Sequence, residues 1–126
     1  MTAAYVDSSY MVAIALNEAT AAAARTRMNA HDRLIASGLC EAELLSTCAR
    51  DDVQLPTGWD DHLTFVHPRR GLGPEIRRTL AAGYLRGADL WHIAVALYVN
   101  PSPAELTFLT FDNKQRAVAA ALGFQT

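Results

Sequence analysis

Four acidic side chains stand where a carboxylate needs explaining. Asp7 is the one charged residue in the apolar and hydroxylic stretch "AAYVDSSYMVAIAL", residues 3 to 16. Glu43 lies in "CEAELLS", Asp89 opens "DLWHIAVALYV", and Asp112 follows "ELTFLTF". Each aspartate has a local explanation, because Asp at a helix start accepts hydrogen bonds from exposed N–H groups and is worth about 1 kcal/mol there. Ser8 or Ser9 would cap the first helix equally well, and Asp112 with Gln115 three residues on resembles a capping box. Capping does not account for Glu43, a mid-helix residue bordering Leu39, Cys40 and Thr47 beside its rival Glu41; a solvated position and a site position are both open to it. Three aspartates at strand-to-helix junctions and one glutamate can converge at one end of a sheet, and such a cluster is tolerable when a divalent cation neutralises it. Carboxylate oxygens without His or Cys ligands favour Mg²⁺ or Mn²⁺ over zinc. Carboxylate-held Mg²⁺ acts mainly on phosphate esters, orienting the phosphate, making water a better nucleophile and stabilising the leaving oxygen.

The elements that must position these acids alternate. "AYVD" (4 to 7) reads as a strand running into a helix at Ser8 and Ser9, "EATAAAARTRMNAH" (18 to 31) as a helix, and "RLIAS" (33 to 37) as a short buried strand. "LCEAELLSTCARDD" (39 to 52) is helical, with Leu44, Leu45 and Cys48 as its apolar stripe; Pro56 and Gly58 end that segment, and "LTFV" (63 to 66) is strand-like. After the Gly71 to Pro74 breakers, Ile76, Leu80 and Tyr84 recur as one helical stripe that Gly87 closes. "DLWHIAVALYV" (89 to 99) predicts a central helix, "ELTFLTF" (105 to 111) a strand, and "DNKQRAVAAALG" (112 to 123) a last helix with Gly123 past its end. Strands alternating with helices predict an α/β domain with a mostly parallel sheet, whose binding groups gather at the carboxyl ends of the strands. Asp7 and Asp112 fall at that edge.

With 126 residues, no internal repeat and no dividing linker, the chain reads as a single domain over 1–126. A 51% apolar and 19% charged composition is that of an ordinary globular protein. The net charge of −2 gives no global reason for nucleic-acid binding, and the arginines at 69–70, 77–78 and 86 read as solvated helix faces before phosphate contacts. Cys40 and Cys48 lie eight positions apart on one helix, separated by roughly 12 Å, and are expected to be buried free thiols. No apolar run approaches a membrane span and no secretory leader is recognisable, which sets the expectation of a soluble cytoplasmic protein. His92, three residues after Asp89, is expected to be a hydrogen-bonded packing residue of an apolar helix.

"YVDSS", "CEAELL", "GADLWHIAVAL" and "FLTFDNKQRAVAAALGF", in this order and spacing over nearly the whole chain, resemble the PIN domain, specifically the VapC-like ribonuclease toxins of bacterial toxin–antitoxin pairs. The resemblance implies a three-layer α/β/α sandwich in which acids hold one or two Mg²⁺ or Mn²⁺ ions that activate water to cleave an RNA phosphodiester. Asp7, Glu43 and Asp89 match the family's core metal-binding acids, Asp112 its fourth acidic position, and Thr110 the small hydroxyl residue two positions earlier; Ser9 lies where members carry a hydroxyl near the metal water. Arg116 stands where some PIN nucleases carry a further acid, which points to a single well-held ion with another recruited by the substrate. A homodimer and a cognate antitoxin lying over the active-site groove are also implied, with Tyr10, Met11, Trp59 and Trp91 as candidate interface residues. A haloacid-dehalogenase phosphatase would need a second Asp where Ser9 stands, and a receiver domain paired early acids; both fit badly. The standing alternative is a non-catalytic α/β interaction module whose acids are all caps or solvated residues.

Overall fold

The computed structural model describes residues 2–126. Four strands, β1 (Ala3–Val6), β2 (Arg33–Ser37), β3 (Leu63–Val66) and β4 (Thr107–Leu109), form one sheet in the order β3-β2-β1-β4. Every pairing is parallel, so the sheet is parallel throughout. Six α-helices surround it: α1 (Ser8–Ala15), α2 (Ala21–Asn29), α3 (Gly38–Arg50), α4 (Gly73–Ala82), α5 (Gly87–Val99) and α6 (Asn113–Leu122).

The layering follows from the two-residue period of the strands. Ala4, Val6, Leu34 and Ala36 face a core built with α1, α2 and α3, through Tyr10, Met11, Met28, Cys40 and Leu44. Tyr5, Ile35 and Phe108 face the opposite core, where Ile93 to Leu97 of α5 and Val118 and Ala119 of α6 pack. Both faces of β1 and β2 are therefore apolar, as a covered parallel sheet demands, and the result is the expected α/β/α sandwich. The chain runs outward from β1 through β2 to β3, then returns to place β4 on the other flank of β1. That reversal opens a crevice beyond the carboxyl ends of β1 and β4, where parallel α/β sheets bind their ligands.

Several local expectations are corrected. β4 is three residues long rather than seven, because Pro103–Glu105 forms a 3₁₀ turn before it. α4 ends at Ala82: Tyr84 lies outside the helix and is 80% exposed, and Leu80 is exposed too. The buried face of α4 carries Glu75 and Thr79 instead, with the Thr79 hydroxyl donating to the Glu75 carbonyl at 2.8 Å and Arg70 donating to the Glu75 carboxylate at 2.8 Å. Hydrogen-bonded polar groups can be buried at little net cost, so the apolar stripe does not decide the inward face. Gly87 opens α5 rather than closing α4. The backbone turns at Gly83, where a Cβ would come within 2.9 Å of Val118 Cγ2, so the link from α4 to α5 lies directly on α6. Leu45 points outward from the α3 stripe. Tyr10 and Met11 are core residues, with Tyr10 stacked on Phe111 at 4.2 Å, and so supply no interface. Cys40 and Cys48 are buried free thiols as expected, and burial first, then nearby carboxylates, push the Cys40 thiol up to about 12. Among the described residues no helix is long and apolar enough to cross a membrane.

Candidate active site

The carboxyl end of β1 hands the chain straight into α1, and Asp7 occupies the join as the N-cap: its Oδ2 accepts the Ser9 N–H at 3.2 Å. The same oxygen lies 3.2 Å from the Thr110 hydroxyl, which shares its one hydrogen between Asp7 and Gln115 Oε1, while Oδ1 lies 3.5 Å from His92 Nε2. Asp7 is thus both cap and buried acid, 5% exposed. Asp112 does the equivalent work after β4, capping α6 through Oδ1 on the Gln115 N–H at 2.8 Å, with Oδ2 left over. Asp89 does not cap. Arg86 is the N-cap of α5 and closes no side-chain bond, which puts Asp89 inside the first turn with its carboxylate uncommitted. The capping explanation therefore holds for two aspartates of the three, and for each of those it consumes one oxygen.

Glu43, half-buried on α3, reaches the same place through a histidine. His92 is fully buried; its Nε2 lies 2.6 Å from Glu43 Oε1 and its Nδ1 lies 2.7 Å from the Tyr5 hydroxyl. A ring that carries its hydrogen on Nε2 satisfies both partners. Glu43 is held below the usual carboxylate range by the His92 hydrogen bond and accepts from Nε2. Burial pushes the Tyr5 hydroxyl well up, so it keeps its proton and donates to Nδ1. His92 is the hydrogen-bonded packing residue expected from its apolar helix, and it also touches two of the acids.

Thr110 knots the β4 side. Its hydroxyl meets Asp7 Oδ2, Gln115 Oε1 at 2.7 Å and the Asp112 N–H at 3.0 Å, and stands 3.4 Å from the Ser9 hydroxyl. Ser9 Oγ accepts the Phe111 N–H at 3.1 Å. Gln115 completes the knot by donating from Nε2 to the Asp89 carbonyl at 3.1 Å, so its side chain spans two elements rather than reaching back to the Asp112 N–H as a capping box would. Arg116 turns to the Thr110 carbonyl at 2.9 Å.

The Asp89 carboxyl is pushed up first by burial, then by the negative charges of Asp112 and Asp7 and more weakly by Glu43, with His92 opposing. Asp89 and Asp112 also line one cavity of about 310 Å³ together with Tyr84, Leu85, Arg86 and Lys114. The four acids foreseen from the sequence are linked through shared partners: Asp7 and Glu43 through His92, Asp7 and Asp112 through Thr110, and Asp89 and Asp112 through Gln115 and their common cavity. Among the described residues no three His, Cys, Asp or Glu side chains are already drawn close enough to hold an ion between them. Tyr5, His92 and Gln115 are the supports that sequence spacing did not assign to the site; the one available signal was a polar side chain inside an otherwise apolar helix, at His92.

A family model for the PIN domain matches residues 4–121 of this chain. The chain belongs to the PIN-domain family. PIN domains are generally nucleases and commonly use divalent metal ions, and the match spans all four acids of this PIN domain. No curated protein and no solved structure gives a significant match to it.

Proposed function

We propose that this PIN domain is an endoribonuclease that hydrolyses RNA phosphodiester bonds with Mg²⁺ or Mn²⁺ held by Asp7, Glu43, Asp89 and Asp112. We propose further that it is the toxin of a toxin–antitoxin pair, acting as a cytoplasmic homodimer restrained by a cognate antitoxin. The observation that carries the reading is the uncompensated charge at Asp89, a carboxylate that caps nothing and sits in the field of three others. A fold has no structural use for such mutual repulsion, which costs stability unless something positive enters. The donor set suits a hard cation, since each candidate ligand is a carboxylate and the neighbouring His92 Nε2 is engaged by Glu43 at 2.6 Å. When bound, Mg²⁺ or Mn²⁺ would orient the phosphate, make water a better nucleophile and stabilise the leaving oxygen.

The chain's own residues have separable tasks. Thr110 and Ser9 hold Asp7 and the end of β4 in register. His92, braced by Tyr5, aims Glu43 toward Asp7. Gln115 ties the first turn of α5 to that of α6, fixing the spacing of Asp89 and Asp112. These hydrogen bonds hold the acids in place before substrate arrives.

Purified protein free of any antitoxin, incubated with RNA, is expected to cleave only when Mg²⁺ or Mn²⁺ is added and to lose that activity with Asp7→Asn. Cleavage in EDTA, or cleavage unchanged by the variant, contradicts the mechanism. Failure to cleave any RNA with either metal leaves the interaction module as the reading. Growth arrest on expression in bacteria, relieved by Asp7→Asn and by a co-expressed antitoxin from the neighbouring reading frame, is the expected result for the toxin role.

A further inference from the structure

The cavity that Asp89 and Asp112 line carries charge of both signs. Its lining combines the two acids with Arg86 and Lys114, the chain's only lysine, both exposed. Neither cation enters an ion pair among the described residues, where the pairs involve Arg50, Arg70 and His92. Tyr84 lines the same cavity and is 80% exposed. The main chain on either side of this ring is packed. On one side Gly83 lies against Val118 of α6; on the other Leu85 is buried in the core at 5% exposure. The ring is therefore presented to solvent from a packed main chain, so that binding has only the side chain itself to order.

A flat aromatic face beside two free cations is the combination that binds single-stranded nucleic acid, through base stacking and backbone phosphate contact. The cavity, about 310 Å³, is at the small end for a ligand pocket and suits one nucleotide unit. We infer that this cavity seats the nucleotide next to the scissile phosphodiester of a single-stranded RNA, its base stacked on Tyr84 and its phosphate held by Arg86 and Lys114. The inference rests on the nuclease reading above and adds to it the residues that seat the strand: a paired base cannot reach the ring, so the Tyr84 contact is made by an unpaired one.

Fluorescence anisotropy of a labelled single-stranded RNA oligonucleotide, in EDTA so that no turnover occurs, tests this on the full chain. Tyr84→Ala is expected to weaken binding roughly 5- to 100-fold and Tyr84→Phe to restore it. Arg86→Ala and Lys114→Ala should each lower the salt dependence by about one phosphate contact. The same RNA annealed to its complement should bind weakly and be indifferent to Tyr84→Ala. With Mg²⁺, KM should rise in Tyr84→Ala with kcat little changed. Wild-type cleavage of RNA combined with unchanged binding and KM in Tyr84→Ala overturns the subsite and leaves the nuclease reading intact. Absence of both binding and metal-dependent cleavage in the wild type overturns both.

Discussion

Asp89→Asn is expected to lower RNA cleavage by at least about a hundredfold while leaving the metal-free protein as stable as the wild type or slightly more stable. The two halves of this result have one origin. The Asp89 carboxyl is raised by burial and by the charges of Asp112, Asp7 and Glu43. A carboxyl raised on folding binds its proton more firmly in the native state, so its ionisation costs stability as pH rises through the folded value, and costs nothing below the unfolded one. Asparagine removes that cost at neutral pH and removes a metal donor with it. Thermal melting in EDTA, with and without the substitution, reads the first half; initial rates with Mg²⁺ read the second. The melting gap between the two proteins should close on acidification. A clear loss of stability in Asp89→Asn would mean that the carboxylate holds the helix start together after all, against the open cap at Arg86.

His92→Ala is expected to produce the opposite pattern, a large loss of stability with activity falling alongside it. The substitution opens a cavity in a fully buried position, strips Glu43 of its partner and leaves the buried Tyr5 hydroxyl without its acceptor. Together these amount to about 3 kcal/mol, or a fall in Tm of roughly 10 °C for a domain of this size. The acid limb of the stability curve should change too. Glu43 is depressed chiefly by the His92 hydrogen bond, so the pair contributes stability above the unfolded carboxylate value and loses it as pH falls through the folded value. In His92→Ala that contribution disappears, and urea denaturation between pH 7 and 3 should show a flatter decline. A double-mutant cycle with Glu43→Gln isolates the contact: strongly non-additive losses are expected, and simple additivity would show that His92 acts on packing alone.

The parts of this molecule that the sequence announces are those governed by local pattern. "RLIAS" and "LTFV" are strands with the expected bounds, and Asp7 and Asp112 follow strands as their position requires. α5 is a nearly all-apolar helix and lies in the core accordingly. Other features depend on partners far along the chain. His92 meets Glu43 across 49 residues and Tyr5 across 87, and no spacing rule connects them. The α4 stripe differs for a local reason: Arg70, five residues before Glu75, bonds one of its carboxylate oxygens and the Glu75 carbonyl takes the Thr79 hydroxyl, so both turn inward while Leu80 and Tyr84 are left outside. For Asp89 the sequence leaves cap and site both open, and the helix start at Gly87, two residues earlier, removes the cap.

Mn²⁺ titration followed by electron paramagnetic resonance bears most directly on the sharing of one cation by these acids, because it needs neither substrate nor antitoxin. Saturable uptake by the wild-type chain, weakened at least about tenfold in both Asp7→Asn and Asp89→Asn, is the predicted result. Uptake that is absent from the wild type, or that both variants retain undiminished, would contradict a shared metal site at this sheet edge.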